Sequence, residues 1–206
     1  MGLAQLKSLA TAEDYLNTER ASDERHEYWD GEIYAMAGET FEHGIISVNL
    51  VGELRQQLKG KPCWTFTKDM KVRSGSDIDL HKWLKGFFSY PDVFVACGEL
   101  QTHDKYKDII LNPTAIIEVL SAATEAFDRG EKFRRYRENL PTLMDYILVS
   151  QTEMLIDCYQ RGENGKWILT SVNGVDGVLL LESVKCELKL SEIYDRIEFQ
   201  SEDTSV

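Results

Sequence analysis

The chain has 206 residues, 43% of them hydrophobic and 28% charged, and a formal net charge of −12 at pH 7. These values are typical of one globular domain. The sequence has no stretch of roughly 18 apolar residues, as a membrane helix requires, and its N-terminus lacks the apolar core of a signal peptide. We therefore expect a cytoplasmic protein without membrane contact. The negative charge argues against nonspecific polyanion binding by a uniformly basic surface, but a local nucleic-acid site is compatible with it.

The first third of the chain predicts two helices, a hairpin and a strand. The Thr-x-x-Asp pattern of a capped start begins a helix over 11–20. Asp30-Gly31, between two alternating runs, indicates a β-hairpin. Apolar residues at helical spacing predict a long helix over 41–59, and alternation predicts a strand over 63–72.

The remainder alternates apolar runs with polar loops. Polar loops are expected over 74–87 and 98–108, and a helix over 125–138. Strands are expected over 90–96, 114–120, 145–150, 153–159, 166–172 and 178–181, before a short helix starting near Ser191. This order predicts an α/β (α+β) fold, a mixed sheet flanked by helices, as a single domain over 1–206 with an acidic tail frayed from about Asp195.

The cysteines give no pattern of a metal site. Cys63, Cys97, Cys158 and Cys186 are widely separated, no two form a C-x-x-C pair, and the four histidines are equally dispersed. Zinc sites and disulfide frameworks normally show closer spacing. We therefore expect all four cysteines to be reduced residues of the core or of strands.

Two carboxylates lie in or beside apolar strands. Asp92 opens the predicted strand over 90–96, and Glu118 lies within the β-branched run 114–120. An ionised carboxylate in a buried strand costs several kcal/mol unless a cation compensates it. If the two strands are neighbours, both carboxylates reach one edge of the sheet, where hard oxygen ligands suit Mg²⁺ or Mn²⁺.

Two arrangements without a metal also account for Glu118. The carboxylate can pair with Lys68, Lys71 or Arg73 on a neighbouring strand. Its strand can also be an edge strand that exposes the side chain to water. Pro91-Asp92, taken alone, is a common turn dipeptide.

Several ordered motifs carry a resemblance to a known family. The segments 90–93 and 117–121, Tyr-Pro-Asp-Val and Ile-Glu-Val-Leu-Ser, resemble the PD-(D/E)XK nuclease superfamily. More closely, the chain resembles the Uma-two-type restriction endonuclease family over roughly residues 11–190. The supporting motifs are the entry hairpin 27–38, the helix pattern His43, Ile46, Asn49 and Leu50, the D-x-x-x-K-x-x-x-Y helix of Asp128, Lys132 and Tyr136, and the strand 145–149.

The resemblance implies a restriction-endonuclease-like mixed sheet with an N-terminal hairpin and additional C-terminal strands. It also implies a site in which Asp92 and Glu118 bind Mg²⁺ or Mn²⁺, with the carbonyl of Val119 as a further ligand. DNA is the implied substrate, and a twofold homodimer is the expected assembly.

The chain departs from the superfamily motif at one position. The residue two after Glu118 is Leu120 instead of lysine, and an apolar side chain cannot orient water. The resemblance implies that Lys132, on the following helix, takes this role. Without the resemblance, the spacing of Asp128 and Lys132 indicates an ordinary ion pair on a helix surface.

Further side chains are candidates for accessory roles. His43, Glu27 and Glu39 can approach the site, and so can Asp128 and Tyr136, which share a predicted helix face with Lys132. His43 can equally be a helix-surface or capping residue, and Glu27 and Glu39 have the same status. The loop over 74–88 can approach a substrate or a partner subunit. The tryptophans are expected in the core or at an interface instead of stacking on bases: Trp29, Trp64, Trp83 and Trp167.

Three functions compete at this level. The first is a Mg²⁺-dependent DNA endonuclease. The second is a catalytically silent binding or dimerisation module that keeps the nuclease fold, because fold does not fix function. The third is a metal-dependent phosphoesterase acting on a small nucleotide, which suits an acidic exterior.

Overall fold

The computed structural model describes residues 9–36, 38–75 and 84–199. The helices are α1 (Ala12–Glu19), α2 (Phe41–Leu58), α3 (Glu125–Phe127), α4 (Phe133–Asn139) and α5 (Leu190–Ile193), and a π-helical segment (Asp128–Lys132) joins α3 to α4. Within these ranges, no helix has the length and apolar character needed to cross a membrane.

The strands form two mixed sheets and a hairpin. They are β1 (His26–Trp29), β2 (Glu32–Ala35), β3 (Cys63–Thr67), β4 (Lys71–Ser74), β5 (Phe87–Ser89), β6 (Val93–Cys97), β7 (Ile109–Ile110), β8 (Ala115–Val119), β9 (Asp145–Val149), β10 (Leu155–Arg161), β11 (Trp167–Asn173), β12 (Val178–Leu181) and β13 (Cys186–Lys189). One sheet has the order β2-β1-β5-β4-β7 and the other β11-β10-β9-β8-β6-β3, while β12 pairs with β13. Pairing is antiparallel except for β8 with β9 and β4 with β7.

Side chains on the two faces of the six-stranded sheet belong to different cores. On β8, Ile117 and Val119 join a cluster with α2, the β12–β13 hairpin and α5. Ile116 instead packs in a cluster with α4 and residues of the five-stranded sheet. Because alternate residues of a strand point to opposite faces, Glu118 projects toward the face that carries α4. The sheet is therefore covered on both sides, and β8 lies in its interior.

Most predicted elements are present, and the predicted fold class is confirmed. The hairpin turn has Asp30 at φ 45° and Gly31 at φ 99°, the left-handed geometry that an Asp-Gly turn supplies. Helix α1 begins with reciprocal hydrogen bonds between Thr11 and Asp14, as its sequence pattern predicts. Helix α2 begins at Phe41, as expected, and ends at Leu58.

Some predicted boundaries are wrong. The single strand expected over 63–72 is two strands, β3 and β4, in different sheets. The short strands β7 and β13 were not predicted. The helix expected over 125–138 is interrupted by the π-helical segment. The loop expected over 74–87 ends in β5, and its residues 76–83 lie outside the described part of the chain.

The expectation of four reduced cysteines is wrong for one pair. Cys63 and Cys97 stand opposite each other in the antiparallel register of β3 and β6 and form a disulfide. Cys158 and Cys186 are free and buried. The pair is separated by 34 residues in sequence, so only the pairing of the strands brings the thiols together.

The tryptophans and the tail also differ from expectation in part. Trp29 and Trp167 pack against the core on the α4 face, whereas Trp64 is 56% exposed, so of the two expected positions only an interface is open to Trp64. Trp83 lies outside the described residues. The tail was expected to fray from Asp195, but Ile197 and Phe199 pack against the core; residues 200–206 lie outside the described part.

A network of hydrogen bonds and ion pairs connects the end of α1 to the five-stranded sheet. Asp108 accepts hydrogen bonds from Arg20, and Lys71 Nζ lies 3.1 Å from Asp108 Oδ2. Lys71 also donates to the Tyr90 hydroxyl at 3.2 Å, and that hydroxyl donates to Glu19 at 2.7 Å. The network thus reaches the residue two positions before Asp92.

We expect the disulfide to contribute to stability. Closing a loop of this length restricts the unfolded chain by about 3–4 kcal/mol. The Cys97→Ser variant should therefore have a lower free energy of unfolding in urea than oxidised wild type. A reductant should lower the stability of the wild type but leave the variant unchanged. Free thiols at both Cys63 and Cys97 in a non-reducing peptide map of air-oxidised protein would contradict the assignment.

Asp108 should make stability depend on pH under acidic conditions. Burial opposes its ionisation, but hydrogen bonds from Arg20 and Lys71 outweigh burial and lower the pKa from 3.8 to about 2. Because the folded pKa is depressed, this stabilisation is present above 3.8 and is lost as the pH falls toward 2. Asp108→Asn should lower stability at neutral pH and flatten the acid limb of the unfolding curve. The exposed Asp176→Asn is the matched control, and an unchanged acid limb in Asp108→Asn would refute the prediction.

Candidate active site

The candidate site is a cavity of about 320 Å³ at the carboxyl ends of the parallel strands β8 and β9. Asp92, Glu118 and Lys132 line it together with His43 and Glu27. The first turn of α2 reaches it from one face of the sheet, and the π-helical segment reaches it from the other. Residues far apart in sequence therefore meet where both layers of helices approach the strand ends.

Asp92 and Glu118 are placed by the pairing of the neighbouring strands β6 and β8, which is the condition under which the sequence brings both carboxylates to one edge of the sheet. The register of β6 and β8 pairs Val93 with Ile117, so Asp92 stands across from Glu118 one step further on. Asp92 Oδ2 accepts a hydrogen bond of 2.7 Å from the backbone N–H of Val119. This bond anchors one carboxylate to the strand that carries the other.

Glu118 is buried, with 3% of its surface exposed, in the interior strand β8. The alternative of an exposed edge strand is therefore wrong. Lys68 pairs with Glu39 and Lys71 with Asp108, so these lysines have other carboxylate partners. The nearest cation described at Glu118 is Lys132, whose Nζ lies 2.9 Å from Oε1.

The ammonium group of Lys132 lies close to three carboxylates. Besides Glu118, its ammonium lies 3.5 Å from Asp128 Oδ1 and 3.7 Å from Glu27 Oε1. The side chain is 7% exposed, so the ion pair is no ordinary helix-surface pair. The π-helical turn that carries Asp128 and Lys132 turns both inward; such insertions into α-helices are frequent at functional sites.

The electrostatics of the site show an excess of negative charge. Desolvation raises the pKa of Glu118 well above its ordinary value; the Lys132 ammonium opposes this shift, and the carboxylates of Asp128 and Asp92 add to it. Desolvation opposes the charged form of Lys132, but the surrounding carboxylates, chiefly Glu118 and Glu27, raise its pKa. Without a further cation, burial and the neighbouring carboxylates therefore favour the protonated form of Glu118.

His43 lies beside Asp92. Its Nε2 is 3.2 Å from Asp92 Oδ2, and its Nδ1 is 3.6 Å from Glu39 Oε1. Burial lowers the pKa of His43, but the hydrogen bond and charge of Asp92 and the charge of Glu39 outweigh burial and raise it overall. Sequence reasoning named His43 as an accessory candidate, and the capped start of α2 at Thr40 places it here.

The remaining candidates divide into two groups. Glu27 and Asp128 line the cavity, and Glu27 also accepts the backbone N–H of Tyr90 at 3.1 Å. Tyr136 is fully buried away from the lining, with its hydroxyl 2.6 Å from that of Ser89. Tyr136 nevertheless lies close enough to Lys132 for the two groups to affect each other's electrostatics.

Two cavity residues were missed by sequence reasoning. Gln151, two residues after the end of β9, donates to the Leu120 carbonyl at 2.5 Å and accepts from the Thr40 hydroxyl at 2.6 Å, so it links the strand ends to the start of α2. Phe127 stacks on Trp29 with ring centroids 3.8 Å apart and closes the cavity wall. Polar and aromatic residues of these types are too common for sequence alone to single them out.

Similar proteins from cyanobacteria match nearly the whole chain. The uncharacterized protein slr1290 of Synechocystis is 36% identical over 187 residues, covering 91% of this chain and 92% of that protein. The uncharacterized protein sll1609 of the same organism is 31% identical over 169 residues, covering 81% and 89%.

A solved structure shares the fold. The crystal structure of a putative nuclease belonging to DUF820 from Anabaena variabilis has a TM-score of 0.70, with 15% identity, and the match covers 90% of this chain and 97% of that one. The model of the family described as putative restriction endonuclease, Uma2, matches residues 12–191. That range includes both sheets, both carboxylates and Lys132, and the chain belongs to this restriction-endonuclease-like family.

Proposed function

We propose that this protein is a divalent-metal-dependent endonuclease that hydrolyses phosphodiester bonds of DNA. The observation that carries the proposal is the meeting of Asp92, Glu118 and Lys132 in one cavity, although they come from different elements. Membership of the nuclease family supports the reaction class. The −12 charge of the chain also suits a small nucleotide substrate, so the substrate class needs a test separate from that of the site.

The residues of the cavity fit a hard divalent cation. Carboxylate oxygens are the ligands that such ions prefer, and Asp92 and Glu118 offer them from adjacent strands. Glu118 Oε1 is buried and lacks a hydrogen-bond donor among the described residues, because the Lys132 ammonium is close but poorly aligned for one. Asp92 and Glu118 would hold the ion, and the carbonyl of Val119, which lines the cavity, stays a predicted further ligand.

The bound ion would polarise the scissile phosphate and lower the pKa of a water molecule. Lys132 keeps its proton, since the surrounding carboxylates raise its pKa, and therefore acts as a hydrogen-bond donor and a positive charge. Held at 2.9 Å from Glu118, its ammonium is suited to orient the attacking water or to stabilise charge that develops on the phosphate. Glu27 and Asp128 limit the positions that the ammonium can adopt.

The proposal includes Mg²⁺ or Mn²⁺ as the bound ion and a homodimer as the assembly. Mg²⁺ and Mn²⁺ both suit an oxygen-rich site of this kind. A twofold dimer would present one site to each strand of a duplex, in line with the general prevalence of twofold symmetry among oligomers.

Cleavage assays with site variants test the proposal. Wild type should relax or linearise supercoiled plasmid with Mg²⁺ or Mn²⁺ and not with EDTA. Asp92→Asn and Glu118→Gln should lose metal-dependent cleavage, and Lys132→Met should slow it by about 10²- to 10³-fold, the usual effect of removing one donor that stabilises developing charge. Asp176→Asn and Lys166→Met, on exposed turns, are matched controls that should cleave normally.

The outcomes separate the competing functions. Cleavage that survives both carboxylate substitutions would refute the site. If wild type leaves every DNA substrate intact but hydrolyses a dinucleotide, the small-nucleotide phosphoesterase replaces the endonuclease. If it cleaves neither, while circular dichroism shows folded protein, the silent binding module is favoured. Circular dichroism of Lys132→Met is needed as well, because breaking a buried ion pair costs about 3–5 kcal/mol.

A further inference from the structure

The start of α2 directs a histidine into the metal-binding part of the cavity. Thr40 caps the helix and accepts a hydrogen bond from the backbone N–H of His43 at 3.2 Å, which fixes His43 in the first turn. The side chain of His43 is 9% exposed and its Nε2 faces Asp92 Oδ2 at 3.2 Å. One ring nitrogen therefore points at a carboxylate that the proposed function assigns to the metal.

The other ring nitrogen faces groups that can hold its proton. His43 Nδ1 lies 3.6 Å from Glu39 Oε1 and 3.4 Å from the hydroxyl of Ser47. Glu39 is itself held by an ion pair with Lys68. Histidines that bind metals commonly donate the distal N–H to a carboxylate, which fixes the ring and leaves the other nitrogen free to coordinate. The contacts from Lys68 to Glu39 and from Glu39 to His43 follow the same order, with Glu39 within ion-pair distance of Nδ1 and Ser47 within hydrogen-bond distance.

The distances suit shared coordination of one ion. Two adjacent ligands of an octahedral ion with bonds of about 2.1–2.2 Å lie about 3 Å apart. His43 Nε2 and Asp92 Oδ2 lie 3.2 Å apart, close to this spacing. One possible ligand atom from each of Glu39, His43 and Asp92 lies within 4.8 Å of the other two. Glu118 Oε1 is buried in the same cavity; the Lys132 ammonium lies 2.9 Å away but is not aligned for a hydrogen bond, so this oxygen keeps the capacity to bind an ion.

From this geometry we propose that His43 Nε2 is a metal ligand beside Asp92 and Glu118, and that the mixed nitrogen and oxygen set favours Mn²⁺ over Mg²⁺. Carboxylates suit both ions, whereas an imidazole nitrogen suits transition metals and is a poor ligand for Mg²⁺, which prefers oxygen. Glu39 is a positioning residue that orients the imidazole. The inference rests on the proposed function, because Asp92 and Glu118 hold the same ion.

Pulsed electron paramagnetic resonance of bound Mn²⁺ tests the ligand directly. A coordinated imidazole gives ¹⁴N modulation of the electron spin echo, and carboxylates do not. Wild type and His103→Gln, which alters a histidine outside the cavity lining, should show this modulation. His43→Gln should lose it, and Glu39→Gln should retain it.

Metal affinities give a second readout, independent of cleavage. Titration of the free Mn²⁺ signal should show affinity about 10- to 100-fold weaker in His43→Gln and about 10-fold weaker in Glu39→Gln, the scale on which ligand environment affects affinity. Competition with Mg²⁺ should show preference for Mn²⁺ in wild type and a reduced preference in His43→Gln. Circular dichroism confirms that each variant is folded.

Failure of the histidine ligand and failure of the whole metal site give different results. Mn²⁺ that binds wild type without ¹⁴N modulation, or modulation that persists in His43→Gln, overturns the role of His43 but leaves a carboxylate site intact. In that case His43 only hydrogen-bonds Asp92. Mn²⁺ binding that is absent, or that Asp92→Asn does not weaken, overturns this inference together with the metal site of the proposed function.

Discussion

The contact between the ammonium of Lys132 and the carboxylate of Glu118 is the interaction on which the candidate site depends. Glu118 is buried in an interior strand, where an isolated negative charge costs several kcal/mol. Lys132 lies 2.9 Å away and is shared with Asp128 and Glu27. When all three carboxylates are ionised, one ammonium leaves a net negative charge, and a further cation in the same cavity would favour that ionised state.

The architecture of the sheet explains how such a cluster can exist. The strands β8 and β9 are parallel, so their carboxyl ends open at one edge of the sheet, while antiparallel β6 begins there. Helix α2 covers one face and α4 the other, so side chains from both layers reach the same edge. The π-helical segment between α3 and α4 turns Asp128 and Lys132 toward the strands. Gln151 donates a hydrogen bond to the Leu120 carbonyl and accepts one from the Thr40 hydroxyl, and these bonds join the strand ends to α2.

Features that depend on local pattern were predicted well. The Asp-Gly hairpin, the capped helix α1, the long helix α2 and the strand carrying Glu118 follow from turn chemistry and from the spacing of apolar residues. Features that depend on contacts between segments distant in sequence were not predicted. The strand predicted over 63–72 divides between two sheets, and the facing thiols of Cys63 and Cys97 are evident only once β3 and β6 pair. Two-residue β7 is too short to leave a periodic signal.

The sequence by itself determined that a carboxylate would be buried in a strand, and the family motifs singled out Asp92, Glu118 and Lys132. Strand periodicity is a property of neighbouring residues, so it is legible without the fold. Only the tertiary structure decided that Lys132, and not Lys68 or Lys71, reaches Glu118, that His43 faces Asp92, and that the buried hydroxyl of Tyr136 meets that of Ser89 outside the cavity lining. These contacts depend on sheet register and on the π-helical insertion, and both arise from packing between segments that are distant in sequence.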